Sequence, residues 1–522
     1  MSMSLRDPGS RDTAGIGYAQ ELRRGVGTFS SFAAGFSFVS ILTTVFQLFG
    51  LGFGLGGASF FWTWPLVFAG QLLVALCFAE LAARWPVSGA IFQWSSRLAG
   101  TTAGWFTGWI MIIGQILTVA AAAIAIQAVL PSIWSGFQII GGSGADSSLA
   151  SATGAQNAVV LGLILLVITT IVNIAGIRHM AAATSIGVMV EIVAVVALVL
   201  ILFFLPERGP QVVFHHEGWT GDGGYLPAFL ASSLMAAYVM VGFDSAGELA
   251  EETRSPRRTT PRTILRALIV SAVGGGLLIV GALMAAPSLT DGNLATSGLA
   301  WVLTERLGDV LGRLLLCCVA VAVFACTLAI QTAGARMIYS MAREKAFPFH
   351  RWLASVSART GTPVGASIVV GAGAAIALLV NLGQSAIFTA LSSLCIAMLY
   401  LAYLGVTLPL LVVRLRHRTT DGWPEGVDEH GKPQFRLGAW GIPLNALAVV
   451  YQLAMAVNLL WPRPEIYDLT GQTWWLRWSA LLVIGVSLVV GAVYLVFKHR
   501  VHGRIELRHV SHTHAVAPAQ EI

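Results

Sequence analysis

Two acidic side chains lie where ionised groups are costly. Asp244 interrupts the apolar run "AAYVMVGFDSAGELAEET" (residues 236–253), among Gly242, Ser245, Gly247 and Glu248. Glu191 stands in "GVMVEIVAVVAL" with no basic neighbour in sequence. An acid at the centre of a membrane helix costs roughly 2.5–3.5 kcal/mol even on the lenient insertion scales, so each needs a use or a partner. The chemistry open to them is proton exchange. Desolvation favours the neutral carboxyl, and a group that gains a proton in one conformation and releases it in another can drive coupled movement. The competing reading of Asp244 is a structural tether across a site. Glu191 is either a second proton carrier or one partner of a buried polar cluster.

Two stretches offer backbone chemistry instead. "FSFVSILTTVFQLFGLGFGLGG" (36–57) places Ser37, Ser40, Thr43 and Thr44 at mid-span, then Gly50, Gly52, Gly54, Gly56 and Gly57. The later stretch carries Gly242, Asp244, Ser245 and Gly247. Interrupted membrane helices bare N–H and C=O groups that bind charged substrate groups. A half-helix N-terminus attracts an anion such as a carboxylate, and bared carbonyls suit an ammonium, so a zwitterionic amino acid would supply both charges. Gly50/Gly54 and Gly52/Gly56 also fit the small-x-x-x-small packing pattern, and for the 50–57 glycines packing is the preferred reading.

The elements that must hold these residues are membrane spans. The 522 residues are 56% hydrophobic and 11% charged, against an ordinary charged share of about 25%, and the mean hydropathy is +0.76. Twelve apolar segments approach the ~20 residues that a bilayer core demands: about 29–56, 58–83, 102–130, 156–177, 181–205, 225–250, 263–287, 309–340, 363–382, 385–413, 442–461 and 478–497. Irregular backbone cannot face lipid, so the fold class is all-α. Residues 1–27 are polar with four arginines and no apolar core, so no cleavable signal peptide is expected and the first segment is retained. With the N-terminus inside, only Arg208, Arg306, Arg313, Arg463 and Arg477 of the 31 Lys and Arg fall outside. The positive-inside rule then puts both termini in the cytoplasm. The basic end of the eighth segment, "RMIYSMAREK", is expected to project there, and Glu251 and Glu252 to pair at the interface with Arg254, Arg257 and Arg258. The net charge of +6 reflects this topology and anionic headgroups rather than nucleic acid.

Catalytic patterns are missing. There is no P-loop, no H-E-x-x-H and no nucleophile elbow, so an enzyme is not expected, nor is a cofactor. Cys77, Cys317, Cys318, Cys326 and Cys395 lie in apolar stretches without metal spacing, and His502, His509, His512 and His514 belong to a polar tail. No metal site is expected.

Several separated motifs resemble the amino acid–polyamine–organocation permeases. "ILTTVF" (41–46) followed by "GG" (56–57) matches that superfamily's Gly-x-Gly-Val-Phe break and downstream Gly pair without a gap, with Leu42 and Thr44 where many relatives have glycine. "GFDSAGELAEETRSPRRTTP" (242–261) resembles the sixth-helix signature, "ARMIYSMAREKAFP" (335–348) the basic turn after helix eight, and "GKPQFRLGAWGIP" (431–443) the entry to helix eleven. The last, with the first, resembles the amino acid/choline branch, which includes GABA, choline and general amino acid permeases. The resemblance spans about residues 25–500. It implies a LeuT-like five-plus-five inverted repeat with broken helices 1 and 6. The corresponding divisions are a cytoplasmic tail 1–28, repeats 29–205 and 206–413, a cytoplasmic loop 414–441, helices 11 and 12 at 442–497, and a cytoplasmic tail 498–522.

The same resemblance assigns roles. Ser40, Ile41, Leu42, Thr43 and Thr44 would form the unwound part of helix 1, Thr43 and Thr44 donating to a substrate carboxylate and the Ser40–Ile41 carbonyls taking its amino group. Val241, Gly242 and Phe243 would form the matching break, just ahead of Asp244. Tyr238 would be the aromatic lid, or an ordinary buried ring. Gln115 would face the substrate, or tie helices together. Gln331 points to the site or to a neighbouring helix. Some relatives have a lysine where Glu191 stands. The function expected is import of an amino acid or related amine by proton symport in the cell membrane, with a non-transporting sensor of the same fold as the alternative. Substrate, protons and the bilayer are the partners expected, with no obligate protein partner.

Overall fold

The computed structural model describes residues 22, 25–149, 151–219, 224–382, 387–417, 426–428, 430–467, 474–502 and 505. Most of the N-terminal tail, Pro424, Glu425 and Glu429 of the loop 414–441, and His509, His512 and His514 lie outside the described residues. Within them, regular structure is helical apart from two isolated bridges, Val26 with Thr253 and Val427 with Pro433. The main helices are α1 (Thr28–Val39), α2 (Ile41–Gly56), α3 (Thr63–Arg84), α4 (Ala90–Ala99), α5 (Thr101–Ile133), α6 (Ala152–Ala175), α7 (Ile177–Phe204), α8 (Tyr225–Val239), α9 (Ser245–Glu248), α10 (Pro256–Ala285), α11 (Gly298–Arg343), α12 (Val364–Leu379), α13 (Ile387–His417), α14 (Gly441–Leu460) and α15 (Ser479–His502).

Ten helical spans among the described residues, counting α1–α2 as one, are long and apolar enough to cross a bilayer. The chain is a multi-pass membrane protein. The expected segments 225–250 and 363–382 correspond to the shorter apolar helices α8 and α12. In the first of these, regular helix stops at Val239 and resumes only at Ser245. In the second it gives way to a 3₁₀ turn at Val380–Leu382.

Helix α7 shows how sequence period becomes orientation. Ile186, Met189, Val193, Val196 and Leu200 are exposed, forming a stripe for lipid. Thr184, Val188, Glu191, Val195, Leu198 and Leu202 are buried on the opposite face, which is the 3.6-residue period of a helix with one packed side. Glu191 therefore points into the bundle. The glycines after the first break serve packing. A Cβ at Gly52 would lie 3.0 Å from the Phe60 ring and 3.1 Å from Met235 Sδ, and one at Gly56 would lie 2.8 Å from Ser232 Oγ. Their bare backbone lets α2 approach α8 closely.

Helix α4 has no counterpart among the apolar segments expected from sequence. At ten residues, with Ala90, Ile91, Phe92, Gln93, Trp94, Ser95 and Ser96 buried, it is too short and too polar to stand out as a span. It packs on Gly247, whose Cβ would lie 3.1 Å from Ala90 Cβ.

The region after α9 departs from expectation. Glu252 pairs with Arg336, Nε to Oε1 at 2.9 Å and Nη2 to Oε2 at 3.3 Å, with both side chains fully buried. Glu251 pairs with Arg343 at 2.8 and 3.0 Å and accepts the Ser88 N–H at 3.0 Å. These partners lie on α11, 84 and 92 positions away in sequence. The end of α11 does not project but folds its guanidinium groups inward, because two buried carboxylates need bidentate donors. The Val26 N–H donates to the Glu252 carbonyl at 3.0 Å, so the segment just before α1 is laid against the same cluster. Breaking a buried pair leaves one uncompensated charge. Arg336→Met should cost about 3–5 kcal/mol by thermal unfolding in detergent, whereas Glu252→Leu with Arg336→Met should recover most of that loss.

Candidate functional site: two interrupted helices

The first interruption is a single residue. Ser40 has φ 32 and ψ 95 between α1 and α2, while Ile41, Leu42, Thr43 and Thr44 are helical. The expected unwound stretch from Ser40 to Thr44 is thus narrowed to Ser40. Leu42 and Thr44 carry side chains where glycines would have let the backbone open, and such residues hold helical φ far more readily than the alternatives. The Ser40 carbonyl accepts both the Thr44 N–H at 3.1 Å and the Thr44 hydroxyl at 2.7 Å. It is engaged inside the protein, as is the Thr44 N–H expected to meet a ligand.

Glu191 reaches this interruption from α7. Its Oε1 accepts the Leu42 N–H at 3.1 Å and lies 2.9 Å from Ser40 Oγ, which also lies 2.7 Å from Thr43 Oγ1. The one Ser40 hydroxyl hydrogen can serve only one of these oxygens at a time. Among the described residues, Oε2 of Glu191 has no hydrogen-bond partner.

The second interruption runs from Met240 through Asp244. Gly242 has φ +94, and a Cβ there would sit 1.8 Å from the Phe38 ring. Only glycine meets both demands: a backbone in the region that L side chains avoid and a ring pressed against it. The Gly242 N–H donates to Tyr403 Oη at 2.9 Å, and the Tyr403 hydroxyl donates to the Asp244 carboxylate. Among the described residues, Asp244 Oδ2 has no partner. Phe243 packs on Phe78 and Tyr403 with ring centroids 5.9 and 5.4 Å away, and Val241 is buried. Phe38 against Gly242, with the Ser245 hydroxyl donating to the Ala34 carbonyl at 3.4 Å, brings the two interruptions together. They form one polar locus inside the bundle.

The remaining expected residues surround this locus unevenly. Tyr238 is buried one turn before the second break, and its hydroxyl has no partner. Gln115 on α5 is fully buried with neither amide atom bonded, so it ties no helices together here. Gln331 donates to Thr170 Oγ1 on α6 at 2.6 Å and leaves Oε1 unbonded. Two participants were not foreseen. Tyr403 lies in "YLAYLGVTL" with nothing to set it apart from a core aromatic. Glu248, one turn after Asp244 and fully buried, could have been found from the i, i+4 spacing of two acids.

A broken, carboxylate-bearing pair of helices in an apolar bundle is what a solute carrier needs, and comparison with known families decides which kind. The family model "Amino acid permease" matches residues 26–489. The chain belongs to the amino acid permease family, whose members are transporters and not enzymes. It is similar to amino-acid permease BAT1 of Arabidopsis thaliana, 26% identical over 94% of this chain and 95% of that protein. It is also similar to the GABA-specific permease of Saccharomyces cerevisiae, 24% identical over 93% of this chain and 84% of that one. The branched-chain amino acid permease BcaP of Lactococcus lactis is 27% identical over 53% and 59% of the two chains.

Two substitutions probe the second break of this permease. Gly242→Ala forces a side chain into positive φ and into Phe38, at a strain of about 1–3 kcal/mol, visible as a lowered melting temperature. Tyr403→Phe removes the donor to Asp244 and the acceptor for the Gly242 N–H. Leaving those groups buried and unpaired should cost a further about 1–3 kcal/mol by the same measurement.

Proposed function

We propose that this permease imports an amino acid or related amine by proton symport, binding it at the locus where the α1–α2 and α8–α9 interruptions meet. The observation that carries the reading is a fully buried carboxylate at each interruption, Glu191 at the first and Asp244 at the second. Each has one oxygen engaged and one unengaged, so each can take a proton or a ligand's donor without breaking an existing bond.

In this reading the architecture is a five-plus-five inverted repeat of twelve spans, with 29–205 and 206–413 as the halves and 442–497 adding two helices. The interruptions then fall in the first span of each half, as matched broken helices do in repeat-built carriers. In this arrangement the protein sits in the cell membrane with both termini cytoplasmic. Tyr238 closes over bound substrate, its unbonded hydroxyl and that ring forming a lid, and Gln115 offers an unbonded amide from the facing helix. Alternating access follows from movement about the interruptions. Proton exchange at Asp244, with Tyr403 as its hydrogen-bond partner, biases that movement. Relatives named as permeases leave the non-transporting sensor without a supporting observation.

Purified protein in proteoliposomes gives the test. Counterflow of labelled substrate should be observed, and a pH gradient should drive accumulation. Asp244→Asn should lower that accumulation about 5–150-fold, the span of ordinary coupling free energies, while exchange at zero gradient persists. Accumulation untouched in both Asp244→Asn and Glu191→Gln removes protons from the mechanism.

A further inference from the structure

The N-terminus of α2 already holds an acidic group, and that group belongs to the protein. The first N–H groups of a helix have no partner within it, and aligned peptide dipoles make that end a receptor for negative charge. Sixteen-residue α2 begins at such an end, immediately after Ser40. Glu191 occupies it, with Oε1 accepting from Leu42 N–H at 3.1 Å and within 2.9 Å of the Ser40 hydroxyl. The side chain is fully buried and its Oε2 is unbonded.

Charge in the surroundings runs the same way. Asp244 at the facing interruption also keeps one unbonded oxygen. Among the described residues the buried basic side chains are Arg336, Arg343, Arg414 and Lys498. Arg336, Arg343 and Arg414 are engaged by Glu252, Glu251 and Glu80, and Lys498 lies near the end of α15. A substrate carboxylate brought to Leu42 would meet another carboxylate on the same donor, where little solvent screens the repulsion. An ammonium group there would instead meet the unbonded Glu191 Oε2, on the carboxyl whose Oε1 lies 2.9 Å from the Ser40 hydroxyl.

We propose that Glu191 is a specificity-determining residue: a tethered carboxylate seated on the α2 N-terminus, which turns an anion receptor into an ammonium receptor. The ligand is thereby selected by its cationic amine, and a carboxylate on it is not the group that α2 holds. This rests on the interrupted helices being the substrate site and names the substrate class of that site, an organic amine with or without a distant carboxylate.

Three probes of similar length separate the charges: γ-aminobutyrate, n-butylamine and butyrate, titrated into the purified full chain by calorimetry. In the unaltered protein, n-butylamine should bind within about tenfold of γ-aminobutyrate, and butyrate about a hundredfold or more weaker. Glu191→Gln keeps the shape and removes the charge. It should weaken n-butylamine about tenfold and strengthen butyrate by a similar factor, a reversal that a merely structural role would not produce. Glu191→Asp keeps the charge and should keep the order amine over acid; this variant carries the test if the glutamine variant fails to fold. Butyrate matching n-butylamine in the unaltered protein, unchanged ratios in a folded Glu191→Gln, a reversed order in Glu191→Asp, or no binding of any probe each overturns the proposal. Counterflow in proteoliposomes keeps the two readings apart. Transport with unmoved ratios sinks the amine selection alone, and the expected ratios without transport sink the carrier alone.

Discussion

A backbone interrupted within a bilayer must find partners for the peptide groups it bares, since lipid offers none. Here each interruption draws its partner from a distant helix: Glu191 on α7 for the Leu42 N–H, and Tyr403 on α13 for the Gly242 N–H. The rest of the locus depends on this exchange. The Glu191 oxygen fixes where α2 starts, and Tyr403 serves the bared amide and the Asp244 carboxylate together. Ala34 and Phe38 on α1 complete the arrangement by packing on the opposite break. Neither interruption stands without the helix that answers it.

The two breaks are built on opposite logics. The first is minimal, one residue at positive φ in a chain that otherwise remains helical, and its carbonyl is taken up at once by Thr44. The second is wide, needs glycine, and continues into the short α9 and then into buried ion pairs with α11. A narrow break pinned by a carboxylate is stiff. The wide one is held from outside itself, by the Phe38 ring on Gly242, by Tyr403, and by the two bidentate ion pairs beyond α9.

Much of this could be read in the chain itself. Composition and apolar run length revealed a helical membrane protein, and the cost of acid in hydrocarbon singled out Asp244 and Glu191 before any coordinates. Gly242, two residues before Asp244, marked the wider break. The extent of the first break was legible only in part: Leu42 and Thr44 in place of glycine favour a held helix, but nothing in Ser40–Thr44 states whether the hydroxyls will cap a helix or line a gap. Tyr403 was invisible for a related reason, as a tyrosine inside an apolar run has the same local signature whether or not its hydroxyl has work. The α11 partners of Glu251 and Glu252 were not foreseen, because sequence proximity draws attention to Arg254, Arg257 and Arg258, whereas the folded bundle brings Arg336 and Arg343 to the buried acids. Helix α4 escaped notice because ten amphipathic residues resemble a connecting loop.

The hydrogen bond from Tyr403 to Asp244 joins residues 159 positions apart, and that separation bears on how the chain is made. At roughly 5–20 residues per second, the ribosome leaves Asp244 without its phenol for on the order of ten to thirty seconds after it is synthesised. Glu191, whose partners precede it by about 150 positions, faces no such delay. Biogenesis is therefore asymmetric. The first interruption can close as soon as α7 emerges, while the second must wait, in a hydrated or chaperoned setting, for α13 to arrive.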